Sequence, residues 1–431
     1  MSKDVHADKN QAYGLSGAGD DRYLGGMDSD PRLLGWMQGF PPSPDKRITF
    51  ERDQFLDFPQ IRWTLSHLRE LGATVNVRRG NKAASHFERY DRAHEINELK
   101  FDDLNGRTTR FEDALYDTYT DGIVVLHRGR IIYERYFGAS EPSLAHALYS
   151  VTKVYVGTLA SDLIYRGILN ESKLVPHYVP ELRGTAWEDA TIRQVMDMQV
   201  GVGYTEDYAD PTSGVRTYML ACGMRPRPAH SDVPTNFYDY LRALRKEGMH
   251  GDAFAYKTVN SDVIAWAMAK VTGFNLADYL HQQLWSRLGC EEDGYMLIDS
   301  VGTPMAGGGL SATLRDMARF GELIRREGDW HGSQLIPASI IDEIRRGDDP
   351  AKFAKTGSDL LRGYSYRAMW YVSHNELGAF EGKGMHGQRL YIAPEAEMVV
   401  ARFASHPVGS SVGNDPISVP QFLALGRMLQ E

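Results

Sequence analysis

The stretch Leu148-Tyr-Ser-Val-Thr-Lys-Val-Tyr-Val-Gly157 places a serine, Ser150, three residues ahead of a lysine, Lys153, at the opening of an apolar run. On a helix, residues i and i+3 share a face about one turn apart, so hydroxyl and amine can meet there. A helix start also leaves backbone N–H groups unpaired and presents the positive end of the dipole, which suits an oxyanion developing beside the hydroxyl. The pattern predicts a helix from Ser150 to about Arg166, with a nucleophile and its base in the first turn. A helix-capping serine followed by a solvated lysine has the same spacing, so the motif needs partners from elsewhere in the chain.

Upstream, Gly122-Ile-Val-Val-Leu126, His127-Arg-Gly-Arg130 and Ile131-Ile-Tyr-Glu-Arg-Tyr136 read as a β-hairpin turning near Gly129. Residues 59–71 carry the apolar spacing of an amphipathic helix. Residues 1–58 are rich in Gly, Asp and Pro, and Gly17-Ala-Gly-Asp20 and Phe40-Pro-Pro-Ser-Pro44 read as loop. Because this segment holds Trp36, Phe40 and Phe50, it is expected to drape on the body as an irregular arm. Downstream the pattern is mostly helical, clearest at 191–199, 235–247, 259–271 and 274–288, with further helices at 311–327 and 335–346. β-like runs return at 364–373, 386–393 and 397–404, before a terminal helix at 418–430.

Strands at both ends with helices between them predict an α+β fold: an antiparallel sheet flanked by helices, plus a mostly helical subdomain and a cleft at the seam. The expected division is an arm at 1–58, an α/β region at 59–165 and 291–431, and a helical subdomain at 166–290.

The totals narrow the function. With 42% hydrophobic and 24% charged residues the composition is that of an ordinary globular protein. A net charge of −9 and no concentrated basic stripe argue against nucleic acid. No apolar run reaches membrane-span length, and no apolar leader is visible at the N-terminus. Two cysteines, Cys222 and Cys290, are most simply reduced, which together with the missing leader points to the cytoplasm. The 14 histidines form no metal-ligand spacing, and no cofactor motif is present, so neither a metal nor a cofactor is expected.

Two rival nucleophiles fail on context. Ser43-Pro-Asp-Lys46 repeats the serine–lysine spacing in a proline-rich turn that no helix follows. Gly409-Ser-Ser-Val-Gly413 matches a nucleophile elbow, yet Asp415-Pro416 follows it, and no histidine lies after His406 to complete a triad. Ser150 has candidate partners instead. Tyr256, in Phe254-Ala-Tyr-Lys-Thr-Val-Asn-Ser-Asp262, stands before a helix start where a phenol can relay protons to a leaving group. Gly382-Lys-Gly-Met-His-Gly-Gln388 reads as a glycine-bearing strand that can pass close to the nucleophile and lend an N–H to an oxyanion hole.

These three elements in this order, with Ala306-Gly-Gly-Gly-Leu-Ser-Ala-Thr-Leu-Arg-Asp-Met-Ala318 between the second and third, resemble the class C β-lactamase-like serine hydrolases. The segment Asp197-Met-Gln-Val-Gly-Val-Gly-Tyr-Thr-Glu-Asp-Tyr-Ala-Asp-Pro211, with Met385-His-Gly-Gln388, is similar to the nylon-oligomer (aminohexanoate-dimer) hydrolases and the related family VIII-type esterases. The resemblance runs from about residue 115 onward, and Gln60-Ile-Arg-Trp63 extends it upstream.

By that resemblance Ser150 is the nucleophile, Lys153 its base, and Tyr256 the general acid and base at the leaving group. The oxyanion hole is expected from the N–H groups of Ser150 and Met385, and substrate contacts from Tyr208, Asn260, Gly384 and His386. Tyr208 would help to protonate the nitrogen of a scissile amide. The sequence departs from the pattern in three respects. Thr258 stands where class C enzymes carry asparagine, with Asn260 two further on; Gly382-Lys-Gly384 replaces Lys-Thr-Gly. Met219 and Gly307 fall where the oligomer hydrolases place polar groups, while Glu206 and Asp207 read as surface carboxylates.

The expectation is a serine hydrolase acting through an acyl-enzyme on small carboxylic esters or linear amides, with room for a homodimer. The alternatives are a β-lactamase or D-Ala-D-Ala peptidase, and a non-catalytic binding module of the same fold.

Overall fold

The computed structural model describes residues 22–208 and 210–431. The Gly17–Asp20 loop and the segment read for a leader lie outside them. In chain order the strands that build the two main sheets are β1 (Thr74–Val77), β2 (Glu88–Arg89), β3 (Thr120–His127), β4 (Arg130–Tyr136), β5 (His146–Ala147), β6 (Gly294–Leu297), β7 (Leu310–Ala312), β8 (Ser365–Arg367), β9 (Trp370–Val372), β10 (Phe380–Lys383), β11 (Arg389–Ala393) and β12 (Met398–Ala404). Five helices matter for the site: α1 (Thr152–Tyr165), α2 (Gly214–Ala221), α3 (Val259–Thr272), α4 (Leu314–Arg325) and α5 (Asp415–Gln430).

The larger sheet has the order β8-β9-β10-β11-β12-β3-β4-β2, antiparallel except where β2 joins β4. Its centre follows from the predicted hairpin. Arg128 and Gly129 both adopt positive φ, the two-residue turn whose twist suits a β-hairpin. Side chains alternate across these strands, and the alternation splits the core in two. Val124, Leu126, Leu390, Ile392, Val399 and Ala401 face one layer, which contains α1 and α4; Ile123, Val125, Tyr391, Met398 and Val400 face the other, with Phe422 and Leu425 of α5. Both faces of the sheet are therefore covered.

The smaller sheet, β1-β6-β7-β5, is antiparallel and escaped the sequence reading. Its strands are only two to four residues long, too short for alternation to register. It matters because β7 flanks Ser150.

One expected helix is corrected. Residues 59–71 form a single α turn, Ile61–Thr64, and a 3-10 turn, Leu68–Glu70. An amphipathic helix needs a wet face, and this segment has none over most of its length: Ile61, Arg62, Trp63, Thr64, Leu65, Ser66 and Leu68 are all buried. Arg62 points inward, donating to Ser29 Oγ at 2.8 Å and to the buried Asp121 carboxylate at 3.1 Å. In the preceding arm, Trp36 and Phe50 pack on the core whereas Phe40 stands in solvent. No helix among the described residues is long and apolar enough to cross a membrane.

Candidate active site

Ser150 lies in a 3-10 turn, Tyr149–Val151, that runs directly into α1. Helix α1 is buried on every side from Thr152 to Leu163, so the turn sits at the centre of the molecule. Two bonds tie it to β7: Leu148 N–H donates to the Leu310 carbonyl at 2.9 Å, and Leu310 N–H donates to Thr152 Oγ1 at 3.1 Å. Tyr149 is held at φ 44°, a left-handed conformation that costs a non-glycine residue about 1–3 kcal/mol and has to be imposed by its surroundings.

Lys153 Nζ is 2.8 Å from Ser150 Oγ and donates to the Gly307 carbonyl at 2.5 Å. Burial pushes this lysine down to about 8, while the Glu206 and Asp262 carboxylates work in the opposite direction. About a tenth is then neutral at pH 7, far more than of an ordinary lysine, and the neutral form is what a proton acceptor needs. The ring of Tyr256 lies under the same ammonium, 5.0 Å from Nζ to centroid, and Ser150 is near enough to its phenol to pull the phenol's pKa down slightly. Burial, and then Glu206, hold that phenol well above its usual range, which keeps its proton available for donation. Tyr256 is stacked on Tyr371 and edge-on to Tyr366, which fixes the ring plane.

The glycine strand passes where it was expected. A Cβ on Gly384 would lie 2.6 Å from the Leu148 carbonyl oxygen and 3.2 Å from Ser150 N, an approach that only glycine allows. The N–H groups of Ser150 and Met385 donate to no other backbone carbonyl among the described residues. Met385, Tyr208 and Thr258 line the small cavity at Ser150 together with Met219, Met305 and Gly307. That cavity opens outward past Tyr208 and Met385 into a cleft walled by His386, Arg225 and, from the arm, Tyr23, Leu56 and Phe58. Asp53 of the arm pairs with Arg225 at 2.8 Å and Arg216 at 3.2 Å, which fastens that wall. His386 Nδ1 lies 2.7 Å from the His406 carbonyl, and burial lowers its pKa to about 4, so the ring is neutral.

Two expectations change here. Asn260 does not reach the cavity: it is fully buried, accepts from Trp187 Nε1 at 2.9 Å and faces Met198 Sδ, so it belongs to the packing of α3. Thr258, two residues after Tyr256, lines the cavity in its place. Glu206 is not a surface carboxylate either. It accepts from Tyr208 Oη at 2.6 Å, from Thr258 N–H at 2.7 Å and from Thr258 Oγ1, which joins both residues beside Ser150. Asp207 is exposed. Lys383, which a one-residue shift would bring to the place of the Lys-Thr-Gly lysine, faces the other side of its strand and pairs with buried Asp415 at 2.6 Å. Among the described residues no cluster of three or more His, Cys, Asp or Glu side chains could hold a metal.

The sheet and the buried helix agree with what sequence comparison finds: residues 109–419 match the Beta-lactamase family, and the chain belongs to it. It is a hydrolase of that family. Within it, the chain is 32% identical to the 6-aminohexanoate-dimer hydrolase of Paenarthrobacter ureafaciens over 387 residues, 90% of this chain and 91% of that one. A solved structure from Bacillus anthracis, assigned as a 6-aminohexanoate-dimer hydrolase, superposes with a TM-score of 0.82 at 31% identity, covering 90% of this chain and 98% of its own. A family VIII carboxylesterase shares the fold, with a TM-score of 0.53 at 17% identity over 73% of this chain and 95% of its own.

Proposed function

We propose that the chain is a serine hydrolase that forms an acyl-enzyme on Ser150 and cleaves small carboxylic esters and linear amides. The observation that carries this reading is the direct contact between Ser150 Oγ and a buried Lys153 whose pKa is lowered to about 8. Neutral Lys153 accepts the Ser150 proton as Oγ attacks the substrate carbonyl carbon. The resulting oxyanion is held by the N–H groups of Ser150 and Met385. Collapse expels the alcohol or amine, which takes a proton from Tyr256, itself resupplied by Lys153. Water then attacks the ester on Ser150, giving a proton to the same pair; as the C–Oγ bond breaks, that proton returns to Ser150 Oγ and the acid leaves.

The amide half of the proposal is supported by the 6-aminohexanoate-dimer hydrolase relative and by the Tyr208–Glu206 pair at the cavity mouth. An amine is a poorer leaving group than an alkoxide and needs a proton delivered at the right moment. The experiment is turnover of p-nitrophenyl butyrate and of linear aminohexanoate oligomers by the wild type and by Ser150→Ala. Loss of both activities in the variant is expected; turnover at wild-type rate without the Ser150 hydroxyl removes the reading.

A further inference from the structure

Asp262, in the first turn of α3, is a carboxylate only 5% exposed. A buried carboxylate is costly unless its oxygens are fully used. Here they accept from Tyr218 Oη at 2.7 Å, Ala306 N–H at 2.9 Å and Gly307 N–H at 3.3 Å. The two amides belong to the loop that leads into β7. The carbonyl of that same Gly307 is the second partner of Lys153 Nζ. There is no slack in this arrangement: a Cβ on Gly307 would lie 2.7 Å from Tyr218 Oη and would collide with the Thr258 methyl.

A neutral primary amine has two N–H bonds and one lone pair. With one N–H tied to a fixed carbonyl, rotation about the Cε–Nζ bond is restricted, and the lone pair can be turned toward Ser150 Oγ. If the carbonyl is released, the amine spends less time in the reactive orientation, and misalignment of this kind costs rate more than binding.

Resting on the serine-hydrolase reading above, we propose that Asp262 is a positioning residue for the reaction: it holds the Gly307 loop so that the carbonyl orients Lys153 toward Ser150. Its charge has a second consequence. Lys153 is faced by Glu206 and Tyr256 as well as by Asp262, and Asp262 by Tyr218, Tyr204 and Cys222. Burial raises the Asp262 pKa to about 7, so above that pH it is ionised and, together with Glu206, retains the proton on Lys153 against the effect of burial. Taking away the Asp262 charge while keeping an acceptor oxygen lets Lys153 shed its proton at lower pH.

The test compares Asp262→Ala and Asp262→Asn with wild type and Ser150→Ala on p-nitrophenyl butyrate from about pH 5 to about pH 10, with thermal unfolding of each protein. Asp262→Ala is expected to lower kcat by roughly 10- to 100-fold with KM within about twofold of wild type. Asp262→Asn is expected to retain more of kcat and to move the ascending limb of kcat/KM to lower pH. A purely structural carboxylate would leave that limb in place. Unchanged kcat in both variants together with an unmoved limb overturns the proposal. If Asp262→Ala fails to fold, the Asn variant decides alone: a shifted limb supports the proposal and an unshifted one ends it. An active Ser150→Ala would instead defeat the functional reading beneath it, so the two failures are told apart.

Discussion

Lys153 Nζ and Ser150 Oγ are 2.8 Å apart where a buried 3-10 turn runs into α1. Water has little access to this pair. The pH at which the amine is free is therefore set first by burial and, against it, by the Glu206 and Asp262 carboxylates, and in the proposed mechanism it sets the pH response.

Wild-type kcat/KM for p-nitrophenyl butyrate should rise with pH through about 8, the value to which burial lowers Lys153. The sign follows from the role: the base works without its proton, so acid removes activity. Lys153→Ala should lose about 10²-fold or more and lose the limb with it. A wild-type profile flat across this range would contradict the assignment.

Glu206→Gln removes the charged acceptor shared by Tyr208 and Thr258. A hydrogen bond to a charged group contributes about 1.5–3 kcal/mol, so kcat/KM should fall by roughly tenfold or more. If Tyr208 assists amine departure, the loss should be larger on aminohexanoate oligomers than on the ester; equal losses on both would refute that role.

Gly384→Ala sets a methyl against the Leu148 carbonyl oxygen and Ser150 N. We expect a stability loss of about 1–3 kcal/mol in urea unfolding, with ester turnover falling further than any surface glycine replacement would produce. Neutral behaviour in both assays would mean that the strand and the nucleophile turn are more loosely apposed than described.

Lys383→Met leaves Asp415 paired only with Arg389 in the interior, and breaking such a pair costs about 3–5 kcal/mol. Burial raises the Asp415 pKa, but Lys383 and Arg389 outweigh it, and the net value lies below the usual 3.8. The stabilisation is therefore present above pH 3.8 and is lost as pH falls through the folded-state value, so the gap between variant and wild type in urea unfolding should close in acid. Because this lysine is committed to Asp415, nitrocefin turnover is not expected of the wild type.

What was legible in the sequence is what rests on local pattern. The hairpin at Arg128-Gly129, the helix after Ser150 and the close glycine at 384 each follow from a rule spanning a few residues. The misreadings came from long-range partners. Arg62 looked like the wet face of a helix until Asp121 and Ser29 closed around it. Asn260 looked like a substrate ligand because its partner, Trp187, lies far away in the chain. Glu206 read as solvated because nothing near it in sequence showed that Thr258 and Tyr208 would converge on it. Asp262 carried a usable signal: an acidic residue inside a run such as Val259–Met268 has to find donors if the helix is buried.

The central strands have one more consequence, for the order in which the protein is made. β3 pairs with β12, His127 against Met398 and Phe403 against Gly122, so the middle of the sheet joins segments from distant parts of the chain. The amide of Met385 likewise comes from far downstream of Ser150. During synthesis the Ser150 turn and its helix emerge long before the strands that complete their pocket. A growing chain therefore carries Ser150 and Lys153 before the Met385 amide and the strands around it exist, so the complete pocket can form only after those strands emerge.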